Sequence, residues 1–201
     1  MGYGIYQKAG GVFVARNVLL RNLFIFVLVL FLLICLVFFG STWYLKKMYP
    51  LRYKEIVLRY SSVYELDPYL VFAVIWVESK FDKMATSRKD ARGLMQIVPS
   101  TGSWAAEKLG IEGYDDDSLY NPDINIQIGC WYINNLQKQF GDMNLALAAY
   151  NGGSGNVRKW LKDTRYSKDG KTLDDIPFNE TKNFVNKVWR AYNRYKQLYR
   201  L

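Results

Sequence analysis

Apolar positions in this chain follow two patterns, and the change from one to the other divides it. From Leu23 to Phe39 there is no charge and no strong helix breaker, and the run reaches Trp43-Tyr44 across Gly40-Ser41-Thr42. About twenty such residues, at ~1.5 Å of rise each, cross a bilayer core, so the pattern predicts one transmembrane helix over 23–44. Residues 1–22 form a short tail whose first part, up to Asn17, is rich in glycine and tyrosine, lacks periodicity and is expected to be loosely ordered. Trp43, Tyr44 and Tyr49 suit an aromatic belt at a membrane interface. Tyr49-Pro50 then breaks the chain ahead of a domain over 50–201.

In that domain apolar residues recur every three or four positions, the helical period. Ile56, Val57, Tyr60, Val63 and Tyr64 predict a first helix packed on a second. The second starts at Asp67-Pro68, an N-cap followed by a proline suited to the first helical position. Leu70, Val71, Val74 and Val77 fall on one face, and Glu78 continues that face one turn beyond Val74. Asp82–Arg92 is polar and reads as a loop. Gly93–Val98 is expected to open a short helical stretch. Pro99-Ser-Thr-Gly102 starts another helix, with Trp104 and Leu109 toward the core. Asn121-Pro122-Asp123 begins a longer one, its apolar face carried by Ile126, Gly129, Cys130, Ile133, Leu136 and Phe140 up to Gly141. Met143–Tyr150 is short, apolar and alanine-rich, and Asn151-Gly152-Gly153 breaks it. Val157, Trp160 and Leu161 suggest a further helix. Thr164–Asp175 reads as a charged, mobile loop, and a last helix runs over about 179–199. No strand-period segment exceeds a few residues, so the domain is predicted to be all-α.

Charge and composition narrow the reading. The chain has 201 residues and a formal charge of +9, but residues 1–47 hold five basic residues and no acidic one, so the domain carries about half of the excess. A mildly basic domain suits an anionic wall or membrane surface, whereas no basic helix, zinc spacing or RNA-binding signature points to nucleic acid. The absence of histidine excludes Ser-His and Cys-His catalysis and most zinc sites. Cys35 lies in the apolar run and Cys130 in the domain, so they cannot form a disulfide; Cys130 reads as a small core residue. Asp115-Asp116-Asp117 does not match calcium-loop spacing and reads as a solvated loop or helix cap. No metal and no cofactor is expected. A cleaved signal peptide is the competing view of the N-terminus, with Arg16 and Arg21 as its basic region. The apolar run exceeds the usual ~7–15 residues and no small-x-small site follows Phe39. Ile34 before Cys35 makes a poor lipoprotein signal. An uncleaved anchor is preferred.

Glu78 is the candidate for chemistry. A carboxylate at the end of an apolar stripe is costly to ionise, and a raised pKa suits a general acid near neutral pH. The plainer alternative is a surface glutamate at a fraying helix end. Around it stand Glu78-Ser79-x-Phe81, Ala85-x-Ser87, Gly93-Leu-Met-Gln96 and Pro99-x-Thr101. Ala148-Ala-Tyr-Asn-Gly-Gly153 and Ile176-Pro-Phe-Asn-Glu-Thr181, followed by Phe184-Val185 and Val188, come later. In this order, over roughly 56–195, the chain resembles the soluble lytic transglycosylases, enzymes with a goose-type lysozyme-like helical fold that cleave the glycan strands of bacterial peptidoglycan.

The resemblance implies cleavage between N-acetylmuramic acid and N-acetylglucosamine by a single glutamic acid. That acid protonates the glycosidic oxygen, the substrate's N-acetyl group assists, and the glutamate then acts as base for attack by the muramic C6 hydroxyl, leaving a 1,6-anhydro end. Matched position by position, Glu78 is the acid/base. Ser87 lies near the N-acetyl or peptide-bearing side, Gln96 lines the cleft, Tyr150 hydrogen-bonds near the acid, and Glu180 is a second acidic residue supporting the cleft. Met95 and Asn151 belong to the same motifs as substrate-contact candidates, although packing and turn formation explain them equally well. Three positions depart from the family: Phe184 replaces a tyrosine, Val98 a common methionine, and Asp90 the customary glycine. A lysozyme-type hydrolase with a second carboxylate and a non-catalytic glycan-binding scaffold are the alternatives. Flanking charge barely discriminates orientation. An N-terminus on the inner side of the bacterial cytoplasmic membrane and a domain outside it, with an envelope, division or sporulation complex as candidate partner, follow only from where peptidoglycan lies.

Overall fold

The structure, a computed structural model, describes the backbone of residues 4–201 and side chains from Arg21 onward. The chain divides into two units, 1–48 and 49–201. The first is a single helix, α1 (Gly4–Met48). Within it Arg21–Met48 is long and apolar enough, by length and composition, to cross a membrane, and its large apolar side chains from Leu23 to Phe39 are exposed. The loosely ordered tail expected up to Asn17 differs from this: the helix begins at Gly4, and residues 1–3 lie outside the described ones. No proline interrupts the segment, and the penalty of a helical glycine, about 1 kcal/mol, does not by itself stop a helix.

The second unit contains α2 (Lys54–Val63), α3 (Pro68–Glu78), α4 (Pro99–Leu109), a 3-10 turn (Asp116–Tyr120), α5 (Pro122–Phe140), α6 (Met143–Gly152), α7 (Ser154–Leu161) and α8 (Asn179–Leu198). Among the described residues there is no strand, only isolated bridges of Arg92 with Thr86 and with Ile97. α3 is the centre. The Asp67 carboxylate accepts from the Tyr69 amide at 2.9 Å and caps it as expected. Its apolar residues do not form one face, however: all six from Leu70 to Ile75 are buried. A helix that is apolar all round must be covered all round, and α3 packs against both α2 and α8. α5 packs on α6, whose Ala146, Ala148 and Ala149 are fully buried and let α5, α7 and α8 approach it.

Several local expectations are corrected. Val63 is 62% exposed, and Val57 is the buried apolar residue of α2. Trp104 is 40% exposed; the buried residues of α4 are Gly102, Ala105 and Ala106, small enough for close packing. Tyr49 is not free for a membrane belt, because its ring stacks on Trp76 at 4.5 Å and meets Tyr195 edge-on within the domain. Gly93–Val98 is a closed turn, not a helix. Gly93 and Gln96 hold left-handed φ values of 73° and 50°, and Arg92 and Ile97 exchange backbone bonds at 2.9 and 3.0 Å. The 164–175 loop, expected to be mobile, is tied by its own polar groups: the Asp169 carboxylate accepts from the Lys171 and Thr172 amides, each at 2.8 Å, and the Asp174 amide reaches the Tyr166 carbonyl. Asp115 caps the 3-10 turn in a capping box with Ser118. Among the described residues no His/Cys/Asp/Glu group could hold a metal.

Candidate active site

α3 ends at Glu78 because the chain turns sharply there. Lys80 and Phe81 both take positive φ, 54° and 66°, which no continuing helix allows. Phe81 is buried beside Phe72, its ring 6.3 Å away, so core packing offsets the strain. Ser79 caps the end, and its hydroxyl donates to the Leu94 carbonyl at 2.8 Å. The acid-bearing end of α3 is thereby fastened to the Gly93–Gln96 turn.

The turn is held from below by Asn125, a buried side chain of α5. Its Oδ1 accepts from the Met95 amide at 2.8 Å, and its Nδ2 donates to the carbonyls of Leu119 at 2.8 Å and Arg92 at 3.0 Å. A β-carbon on Gly93 would lie 2.1 Å from the Leu119 carbonyl, so backbone approach as well as the left-handed φ requires glycine there. The Gln96 Nε2 donates to the carbonyls of Ala85 and Gly93 at 3.1 and 2.9 Å. Its amide nitrogen is committed to the loop, and Oε1 is the atom left to serve a ligand.

Glu78, Ser87, Gln96, Tyr150, Asn151 and Glu180 line one cleft of about 450 Å³, together with Arg88, Lys89, Ala91 and Val98. Gln96, Val98, Tyr150 and Asn151 also border a continuation of about 320 Å³ that reaches Thr101, Tyr132 and Gly153. Burial pushes the Glu78 carboxyl up to about 8, helped by the negative charge of Glu180. Glu180, in the first turn of α8, is exposed and lies 3.6 Å from Lys89 Nζ in an ion pair across the cleft mouth. Tyr150 does not give its proton to the acid. Its hydroxyl donates to the Met95 carbonyl at 2.6 Å, and burial, then the nearby Glu78, holds the phenol well above its usual value. Phe184 is buried and stacks on the Tyr150 ring at 6.2 Å, 8° from parallel.

One expected contact residue is elsewhere. Met95 does not line the cleft: its side chain is fully buried, and a β-carbon on Gly129 would sit 2.3 Å from its sulfur. Met95 contributes its backbone, through the bonds to Asn125 and Tyr150. The Ser87 hydroxyl accepts from the Lys89 and Ala91 amides at 3.2 and 3.0 Å, closing the loop on the cleft's edge. Asp90, where a glycine is customary, has φ 59° and pairs with Arg92 at 3.0 Å; aspartate is among the residues that tolerate this region. Arg88, Lys89, Tyr132 and Asn125 were not singled out from the sequence. For Asn125 a signal exists: it falls on the apolar stripe of α5 with Gly129, Ile133 and Leu136, where an unpartnered amide would be costly.

Residues 55–173 match the model of the Transglycosylase SLT domain family. The chain belongs to that family. The soluble lytic murein transglycosylase of Escherichia coli strain K12 is 35% identical over 162 residues, covering 78% of this chain and 25% of that protein. A membrane-bound lytic murein transglycosylase C from Actinobacillus pleuropneumoniae is 30% identical over 170 residues, covering 72% and 46%. Among solved structures, an inactive mutant of lytic transglycosylase Slt from Pseudomonas aeruginosa superposes with a TM-score of 0.67 at 36% identity, over 74% of this chain and 24% of that one. The 70 kDa soluble lytic transglycosylase of E. coli, also solved with bulgecin A, gives 0.68. This SLT-domain chain thus spans about a quarter of the length of the soluble relatives, and it shares their lysozyme-like helical fold. The Pro-Phe-Asn-Glu-Thr block bearing Glu180 lies beyond the stretch the family model matches.

Proposed function

We propose that the chain is a membrane-anchored lytic transglycosylase that cleaves the β-1,4 bond between N-acetylmuramic acid and N-acetylglucosamine, with Glu78 as its single acid/base. The observation that carries this reading is a carboxyl raised to about 8 inside a cleft. At neutral pH most of it is protonated, as departure of a sugar alkoxide requires. Glu78 gives its proton to the glycosidic oxygen while the substrate's N-acetyl group stabilises the anomeric carbon. The resulting carboxylate then takes the proton of the muramic C6 hydroxyl as that oxygen bonds to C1. One proton is given and one regained, no water is consumed, and a 1,6-anhydro end forms. Gln96 Oε1, Asn151 and Ser87 are the polar groups proposed to orient the sugars, with Glu180 and Lys89 at the cleft mouth.

Full-length protein incubated with purified sacculi is expected to release anhydro-muropeptides, and Glu78→Gln to release none while keeping its helical circular dichroism. Glu180 supports a second reading, a hydrolase using two carboxylates, because it also lines the cleft. Its products would be heavier by one water and carry reducing ends, which mass analysis of the same digest separates. The exposed apolar helix Arg21–Met48 supports anchoring, with the amino terminus inside and the domain at the wall.

A further inference from the structure

A second concave site lies away from the cleft. Tyr49, Arg190, Asn193, Arg194 and Gln197 line a groove of about 350 Å³. From residue 181 to residue 200, α8 and its end carry six basic residues and no acidic one. Two of the six are engaged elsewhere: Lys182 pairs with Asp175 at 2.6 Å, and Lys196 donates to the Tyr192 hydroxyl at 3.3 Å. Lys187, Arg190 and Arg194 are exposed and, among the described residues, make no ion pair. At i, i+3 and i+7 they form one stripe along the helix. Arg194 Nη1 makes only a weak intrahelical contact, 3.3 Å to Gln197 Oε1. Lys80, just past the end of α3, lies over the Trp76 ring that Tyr49 stacks upon. Burial, then the charge of Lys187, lowers the Lys80 amine to about 8.

This basic and aromatic face includes Tyr49, and Tyr49 is bonded directly to Met48, the last residue of the apolar segment. The apolar run itself ends at Tyr44, and at no more than about 3.6 Å of chain per residue one edge of the groove is tethered within about 20 Å of that end. We propose that the Tyr49–Arg190–Arg194 groove, with Lys187 beside it, binds the phosphate of anionic phospholipids and seats the domain on the membrane surface. Guanidinium groups give paired hydrogen bonds to phosphate oxygens, and Asn193 and Gln197 supply further polar contacts. The proposal rests on the membrane-anchored reading of the chain, though not on its enzymatic activity.

The test reconstitutes the full chain into vesicles of phosphatidylcholine alone or with 30% phosphatidylglycerol, each doped with a dansyl-headgroup lipid, and reads energy transfer from tryptophan. Transfer is expected to be at least twofold stronger in anionic vesicles. Lys187→Gln/Arg190→Gln/Arg194→Gln should abolish that difference, while Arg158→Gln/Lys159→Gln/Lys162→Gln, an equal charge change near α7, should retain it. Equal transfer in both vesicles, an unaffected α8 variant, or equal losses in the two variants would overturn the proposal. So would an α8 variant that loses binding to sacculi but not transfer, which would assign the face to a wall polymer. Failure of the chain to float with any vesicle would remove the anchoring reading itself, an outcome distinct from floating without a charge-dependent difference.

Discussion

Glu78 and Glu180 differ in environment more than in chemistry. Glu78 is shielded at the end of a buried helix, whereas Glu180 is exposed and paired with Lys89. Folded Glu78 keeps its proton up to about pH 8, while an unfolded chain releases it near 4.5. Between those values the folded state binds the extra proton, so the stability tied to this group falls as pH rises through the window and stays low above it. Glu78→Gln is uncharged throughout. It should match the wild type in urea unfolding below pH 4.5 and exceed it by roughly 4 kcal/mol near pH 8. If the proposed first step uses Glu78 as the protonated acid, kcat/KM should decline as pH rises through about 8. Glu180→Gln removes the second cause of the raised value and should move that alkaline limb to lower pH. Retention of anhydro product in this variant separates an auxiliary charge from a second catalytic carboxylate.

At the level of elements, the cleft is made where three helix ends meet one strained turn: the end of α3, the end of α6 and the start of α8. Asn125 of α5 does for the turn what a strand would otherwise do, supplying one acceptor and two donor bonds to backbone that has no regular partner. Asn125→Ala removes the partner of the Met95 amide and of the Leu119 carbonyl, and one of the two donors to the Arg92 carbonyl. It should cost about 3 kcal/mol in denaturant unfolding, and activity should fall beyond what lost stability explains, because Gln96 and the Met95 carbonyl that orients Tyr150 share the turn. Gly129→Ala tests the same support from the other side. Its methyl group would meet the Met95 side chain at 2.3 Å, at a cost of about 1–3 kcal/mol from overpacking.

For the molecule as a whole, the proposed reading gives tethering to one unit and chemistry to the other. If anchoring is the role of the first unit, a chain beginning at residue 49 should remain helical and release anhydro-muropeptides from purified sacculi. It should no longer float with phosphatidylcholine vesicles as the full chain does. Continued flotation would place the membrane affinity in the domain and not in Arg21–Met48. The +9 charge acts at this scale too, since it is shared between the N-terminal segment and α8; a molecule so charged approaches anionic surfaces faster at low salt.

The sequence alone determined most of the domain's helices and singled out Glu78 as the candidate acid. Asp67-Pro68, Asn121-Pro122 and Gly141 mark helix ends through local cap chemistry, and the motifs around Glu78 need no partner from far along the chain to be legible. Other features waited on contacts distant in sequence. The burial of α3 on every side depends on α2 and α8, and the turn at Gly93–Gln96 depends on Asn125, thirty residues from Met95. The same is true of the Met95 side chain, which packs inward because Gly129 leaves it room, and of Tyr49, withdrawn from an interface by Trp76 and Tyr195. Periodicity reports which side of a helix is apolar; which neighbours cover it, and therefore which polar groups end in the cleft, is set only when the helices pack.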